Sequence, residues 1–242
     1  ARMYNYATFK VGEAGIKLFF LGRTLLDEDP GLLFYPLNFL LRATPLMLTG
    51  LLRGIWFSVG RVKRYVAATP TPFNPASLPL LLDNPGIWAL LAYVLLYIGG
   101  MSLGSHKQDR FLMAVFPALN LLAAMAFLYL FEKRLRWPAP RLWAAGGALL
   151  AVQLATALPY HPYYFSYFNP LLGGGATAQR LTRIGWGEGM DQVGAYLQSL
   201  PRSESLTVAS RFSNYLIGYK GNTLNLDSDG EWLHADKIVF YI

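Results

Sequence analysis

Two apolar runs, Pro85 to Leu103 and Phe111 to Phe131, contain no charged residue and are separated only by a short polar stretch. Each is close to the roughly 20 residues that a helix needs to cross a bilayer. In lipid, a helix of this kind satisfies all its backbone polar groups internally, so an apolar run of that length has a ready solution there. Two such runs back to back bias the chain toward a membrane fold before any motif is considered. Composition agrees. The chain is 54% hydrophobic and only 14% charged, with a mean hydropathy of +0.30, whereas soluble domains carry about a quarter charged residues.

Two further spans are expected. Leu32 to Gly60 is apolar but holds Arg42 and Arg53, and Pro36 and Pro45 divide it. The prolines predict a short interfacial piece up to about Ala43, then a span over residues 44–60. Arg53 then falls near mid-membrane, where an isolated charge is costly, so it is expected to face the protein interior or line a wet cavity. The last span, residues 142–160, is rich in Ala and Gly, as helices packed closely against neighbours tend to be. The expected architecture is a polytopic α-helical membrane protein with four transmembrane helices, over 44–60, 85–103, 111–131 and 142–160, followed by the start of a small α/β domain. Residues 1–31 form a loop segment, 32–160 the transmembrane region and 161–242 the soluble domain.

Loop charges give an orientation. Arg61, Lys63 and Arg64 follow the first span, and Lys133, Arg134, Arg136 and Arg141 lie between the third and fourth. The positive-inside tendency makes both groups cytoplasmic, so residues 1–31, the loop before Phe111 and everything after Tyr160 are expected outside. The formal charge of +7 is then a matter of membrane topology, and nucleic acid is not an expected partner. There are no cysteines, hence no disulfide framework, thiolate nucleophile or thiolate metal site. No signal peptide is visible, and the strand-like ADKIVFYI at Ala235 to Ile242 stops without a turn. The chain is expected to be a piece of a longer protein, with its external domain incomplete at the C-terminus.

The loop SHKQDR, Ser105 to Arg110, concentrates polar groups at an expected external helix mouth. Lys107 and Arg110 are three apart, so both can point to one side of the first turn. Free N–H groups at the helix start add positive potential, with Asp109 accepting a hydrogen bond there and His106 available to donate. Arg supplies a planar fork and Lys a point charge for phosphate oxygens. The cluster is either an anion site or a solvated loop resting on lipid phosphate. The acidic run Asp27 to Asp29 is either a turn stopped by Pro30 or a carboxylate site for a general base or divalent cation. Tyr160 to Pro170 is rich in aromatic residues at a membrane exit, which reads as an interfacial belt or as a sugar or lipid-head site lined by Tyr163, Tyr164, Tyr167 and Asn169. His161 stands beside Pro162 and reads as a structural hydrogen-bonder or an acid–base group. GWGEG, Gly185 to Gly189, fits no phosphate-loop pattern. Trp186 and Glu188 are expected to pack and cap a helix beginning at Met190. Strands are expected at Leu206 to Ser210 and Lys237 to Ile242. No zinc, HExxH or Ser/His/Asp spacing occurs, so no metal site or cofactor is expected, although a divalent cation is compatible with the acidic run.

The ordered series FFLGR (Phe19 to Arg23), DEDPGLLFYP (Asp27 to Pro36), MSLGSHKQDRFLMAVFPAL (Met101 to Leu119), HPYYFSYFNPLLGG (His161 to Gly174), GWGEGMDQ (Gly185 to Gln192) and ADKIVFYI (Ala235 to Ile242) resembles bacterial multi-pass glycosyltransferases of the GT-C fold. It is most similar to the family 39 type, related to protein O-mannosyltransferases and the aminoarabinose transferase of lipid A. The resemblance covers the chain as the C-terminal portion of such an enzyme. It implies a bacterial plasma membrane location and transfer of a sugar from a polyprenyl-phosphate donor to a hydroxyl of a glycan, lipid or protein acceptor, on the external face. It also implies a general-base aspartate in the first external loop, upstream of residue 1, so no catalytic residue is assigned here. The Lys107 and Arg110 pair looks like the family's basic motif, with His106 as a helper at the donor phosphate. Two other readings stand beside this one: a transporter or flippase for a lipid-linked anion, and a non-catalytic membrane scaffold.

Overall fold

In a computed structural model of the chain, residues 17–26, 28–68, 85–104, 107–226 and 230–241 are described. The protein is mostly helical with small sheets, and it divides into two compact units. The first comprises 1–159 and 167–183, the second 160–166 and 184–242.

The first unit opens with a hairpin, β1 (Lys17–Phe20) and β2 (Arg23–Leu26), paired antiparallel. Leu21 and Gly22 make the turn at φ 50 and 77, the left-handed geometry that lets a two-residue loop match the twist of its strands. Then α1 (Phe34–Arg42) buries Phe34, Tyr35, Asn38, Leu41 and Arg42 along one face, the spacing that one side of a helix requires. The chain turns extended at Ala43 and restarts as α2 (Pro45–Ala68), so the proline-marked break lies where the sequence places it. The Thr44 hydroxyl accepts from the Met47 N–H at 3.2 Å, satisfying a donor at the start of α2.

Helix α3 (Pro85–Leu103) coincides with the expected second span. The third span starts later than expected. Residues Asp109–Ala114 form a tighter 3-10 turn, and α4 (Phe116–Tyr129) begins with Pro117 in its first turn. Proline has no N–H to donate one turn back and its ring crowds that carbonyl, so the regular helix can begin at Pro117 but not run through it. A π-helical turn, Leu130–Arg134, ends α4, and α5 (Ala139–Ala157) follows. Three segments, Pro85–Leu103, Phe116–Arg134 and Ala139–Tyr160, are long and apolar enough to cross a membrane. Helix α2, over the expected first span, is not one of them; Arg53 and Arg61 interrupt its apolar run. Arg53 is exposed, and the buried face of α2 runs through Met47 and Phe57.

The closest helix packing is also not where the sequence suggests. Gly50 and Gly54 of α2 lie against Ala123 and Ala126 of α4: a Cβ on Gly50 would sit 2.7 Å from the Ala123 Cβ, and one on Gly54 3.4 Å from the Ala126 Cβ. Small residues one turn apart on both helices let the backbones approach. The Ala- and Gly-rich α5 has no buried residue among those described, and Gly146 and Gly147 have open space around them.

In the second unit, α7 (Met190–Gln198) packs on a three-stranded parallel sheet in the order β4 (Asn222–Leu224), β3 (Thr207–Ser210), β5 (Lys237–Val239). The short helix α6 (Gly174–Leu181) belongs to the first unit. Met190, Leu197, Val208 and Leu216 form the core between α7 and the sheet. The expected helix and both expected strands are present; β4 is polar and only three residues long, and no alternation marks it. Glu188 does not cap α7, whose first turn is preceded by Gly189. Its Oε2 accepts instead from the Trp186 N–H at 2.6 Å and the Tyr241 hydroxyl at 2.7 Å. Burial and this carboxylate push the Tyr241 hydroxyl up to about 12. Gly185, at φ 81, leaves room for the Tyr241 ring, which would lie 2.1 Å from an added Cβ.

The tight α2–α4 contact yields a paired expectation. Gly50→Ala forces the helices apart and lowers stability by about 1–3 kcal/mol, while Gly54→Ala is neutral or slightly stabilising because alanine is the better helix former. Thermal unfolding of the detergent-solubilised protein compares the two; equal effects would count against the packing described.

Candidate functional site

The buried charges of the first unit gather around the mouth of α4. Among the described residues these are Arg42 at the end of α1, Lys107 just before the 3-10 turn and Asp109 at its start; the loop after β2 and the stretch 167–169 supply partners. The end of α1 brings Arg42 inward, 5% exposed, because its helical register matches that of Tyr35 and Asn38 on the apolar face. Arg42 Nη2 donates to Asp109 Oδ2 at 2.7 Å, with the two side chains 3% and 5% exposed. Its Nη1 donates to the Tyr167 carbonyl at 3.2 Å, and its guanidinium lies 4.0 Å over the Phe168 ring. A fork with several donors is the cation best suited to such a dry place. Removing one member of a buried pair leaves an uncompensated charge and costs about 3–5 kcal/mol.

Beside this pair, Lys107 is 2% exposed, and its Nζ donates to Asp29 Oδ1. Asp29 also accepts the Gly31 N–H at 2.9 Å. The Lys107 bond, with the Gly31 N–H second, holds the Asp29 carboxyl below its ordinary range. Lys107 and Arg110 do not point to one side as expected. Gln108 is extended, at φ −137 and ψ 137, so Lys107 stands outside the helical turn that carries Arg110 and the three-residue helical spacing does not apply; side chains two apart across an extended residue share a face, and Lys107 and Asp109 are both buried. Lys107 is therefore turned inward while Arg110 is exposed, its guanidinium 5.8 Å from the Phe111 ring centre. Asp109 pairs with Arg42. His106 lies outside the described residues, as does Asp27.

Asn169 is 1% exposed and works as a clamp. Its N–H donates to the Leu41 carbonyl at 2.7 Å, its Nδ2 to the Leu40 carbonyl at 3.4 Å, and its Oδ1 accepts the Leu171 N–H at 3.0 Å. It thus holds the end of α1, where Arg42 sits. Tyr163 and Tyr164 belong to the second unit, so they do not join Asn169 in one lining within either unit. The Tyr163 hydroxyl donates to Asp191 Oδ1 at 2.6 Å and accepts from Gln192 Nε2 at 3.1 Å. The Asp191 bond raises the Tyr163 hydroxyl above its ordinary value. The Tyr164 hydroxyl and His161 Nδ1 are 3.0 Å apart.

Sequence reasoning missed the partners. Arg42 and Asp109 are 67 residues apart, and Asp29 and Lys107 are 78 apart, separations that no local pattern encodes. One signal was available: a lone arginine in an apolar helix must find an acid, and Asp109 lies at another expected helix mouth. Among the described residues no group of three or more His, Cys, Asp or Glu could hold a metal ion.

What the arrangement can do chemically is present one dry ammonium, one buried and one exposed guanidinium, and two carboxylates within a single helix-mouth region. Asp109→Ala is expected to lower stability by about 3–5 kcal/mol, whereas the double replacement Arg42→Met with Asp109→Leu recovers most of that loss, because no charge is then left unpaired. Chemical denaturation of the purified protein measures both; equal loss in the single and double variants would contradict the pairing. No family model, curated protein or solved structure matches the chain.

Proposed function

We propose that the chain is the C-terminal part of a membrane glycosyltransferase that moves a sugar from a polyprenyl-phosphate donor to an acceptor hydroxyl on the external membrane face. The observation that carries the reading is the placement of Lys107. A fully enclosed ammonium stands just ahead of the 3-10 turn that leads into a membrane-length helix, two positions before Asp109 of the buried Arg42–Asp109 pair. An ammonium costs free energy to bury, and a lysine that served only to touch lipid head groups would extend outward instead. In this reading Lys107 neutralises the donor phosphate and Arg110 reaches it from the exposed side. As the sugar leaves, negative charge grows on the bridging phosphate oxygen, and a fixed cation there lowers the barrier. The four-span topology, the plasma-membrane location and the external placement of the second unit are parts of this proposal, supported by the loop charges and the three membrane-length helices.

The lysine's partner favours a second reading. Asp29 already neutralises Lys107, so the cluster also fits a structural latch that ties the loop after β2 to the helix mouth of a non-catalytic scaffold. The two readings separate on donor use. In full-length protein, Lys107→Ala and Arg110→Ala each reduce sugar transfer from a polyprenyl-phosphate donor by about 10–100-fold, as expected when a fixed charge at a developing oxyanion is lost. Radiolabelled transfer in membranes measures the rate. A double variant with unchanged donor affinity and rate would remove the phosphate assignment and leave the latch.

A further inference from the structure

Lys107 is enclosed, yet the group that closes over it is not. The Lys107 side chain is 0% exposed and that of Asp29 is 50% exposed. Among the described residues Asp29 is the one polar partner of the Lys107 ammonium. An ammonium without a counter-charge does not stay in a dry site, so the burial of Lys107 depends on a carboxylate that reaches in from the surface. That carboxylate sits on a loop, between β2 and α1. Among the described residues its other hydrogen bond is from the Gly31 N–H, and Gly31, at φ 84, has nothing within 4 Å of where its Cβ would stand. At that glycine the turn faces open space. Arg42 and Asp109 are mutually neutralised next door and need not change partners when Asp29 moves.

Resting on the donor reading above, we infer that Asp29 is a removable plug: its carboxylate occupies the seat over the Lys107 ammonium that the donor's phosphate takes, and donor binding exchanges one anion for another. Both groups offer anionic oxygens to the same N–H donors. The exchange keeps the buried seat neutral at its beginning and end, so Lys107 never faces the apolar interior alone. It also sets a selection rule. A lipid that brings its own anionic head can displace Asp29, whereas a neutral polyprenol, with no charge to offer, leaves the plug seated.

The test follows the plug and its seat separately, in full-length protein held in lipid nanodiscs. Amine acylation of Lys107, read by peptide mass spectrometry, is expected to be slow in the wild type and to rise roughly tenfold or more in Asp29→Asn, since local opening no longer has to break the ion pair. Glu28→Gln, which alters the neighbouring carboxylate, leaves the rate as it was. In the wild type, carbodiimide modification of Asp29 rises when polyprenyl phosphate is added and stays level with polyprenol, a readout that holds even where Asp29→Asn folds poorly. A well-folded Asp29→Asn in which Lys107 stays as protected as in the wild type overturns the plug. So does an Asp29 whose modification is unmoved by a polyprenyl phosphate that demonstrably binds. If Lys107 opens in Asp29→Asn but polyprenyl phosphate neither binds nor protects it, the plug stands and the donor reading is what fails.

Discussion

The buried ion pair between Arg42 and Asp109 is the contact around which the first unit is arranged. A guanidinium with a 3% exposed side chain tolerates that position only with a carboxylate in hydrogen-bond contact. Meeting that need draws together the end of α1, the residues before α4 and the stretch around Tyr167. Asn169 reinforces the same junction through the Leu40 and Leu41 carbonyls. Phe168 offers its ring face to the guanidinium, where a cation gains from the ring quadrupole. Residues 167–183, which follow the last apolar helix, consequently pack with the helical unit.

The same stretch continues the junction toward the hairpin. The Leu21 N–H donates to the Leu181 carbonyl at 2.7 Å and the Arg183 N–H to the Phe19 carbonyl at 3.1 Å. These bonds occupy backbone groups that an edge strand would otherwise leave open. The hairpin, tied down there, leads into the loop that carries Asp29. The position of Asp29 over Lys107 is thus a consequence of backbone pairing on one side and helix-end chemistry on the other. A polar site at a helix mouth is built here from segments that are individually ordinary turns.

What the sequence made legible were features with a local cause. The run Pro85 to Leu103 was readable to the residue because both ends carry breaks in hydrophobicity and the start carries a proline. Pro36 and Pro45 marked the split between α1 and α2, since proline constrains the residue before it. The start of α4 was misread by several residues because hydropathy continues smoothly through Phe111 to Phe131 while Pro117 resets the hydrogen bonding within it. The site was legible in kind but not in geometry. Lys107 stood out as a cation at a helix mouth, yet its separation from Arg110 turned on a single extended residue, Gln108. Its partner lay 78 residues earlier, in an acidic run where adjacent side chains point different ways. Small-residue content misled in the opposite sense: α5 has more Gly and Ala, but the close approach belongs to Gly50 and Gly54, which sit in register with Ala123 and Ala126.

The central claim is that the enclosed ammonium of Lys107 is the cation that holds a lipid-linked phosphate. The most direct measurement is solid-state magnetic resonance on full-length protein in bilayers, with ¹⁵N-lysine and polyprenyl phosphate, reading the dipolar coupling between the lipid's ³¹P and a lysine side-chain nitrogen. The account predicts a coupling that reports direct contact and that vanishes in Lys107→Ala. A bound lipid phosphate with no such coupling, or with one that survives Lys107→Ala, would contradict it.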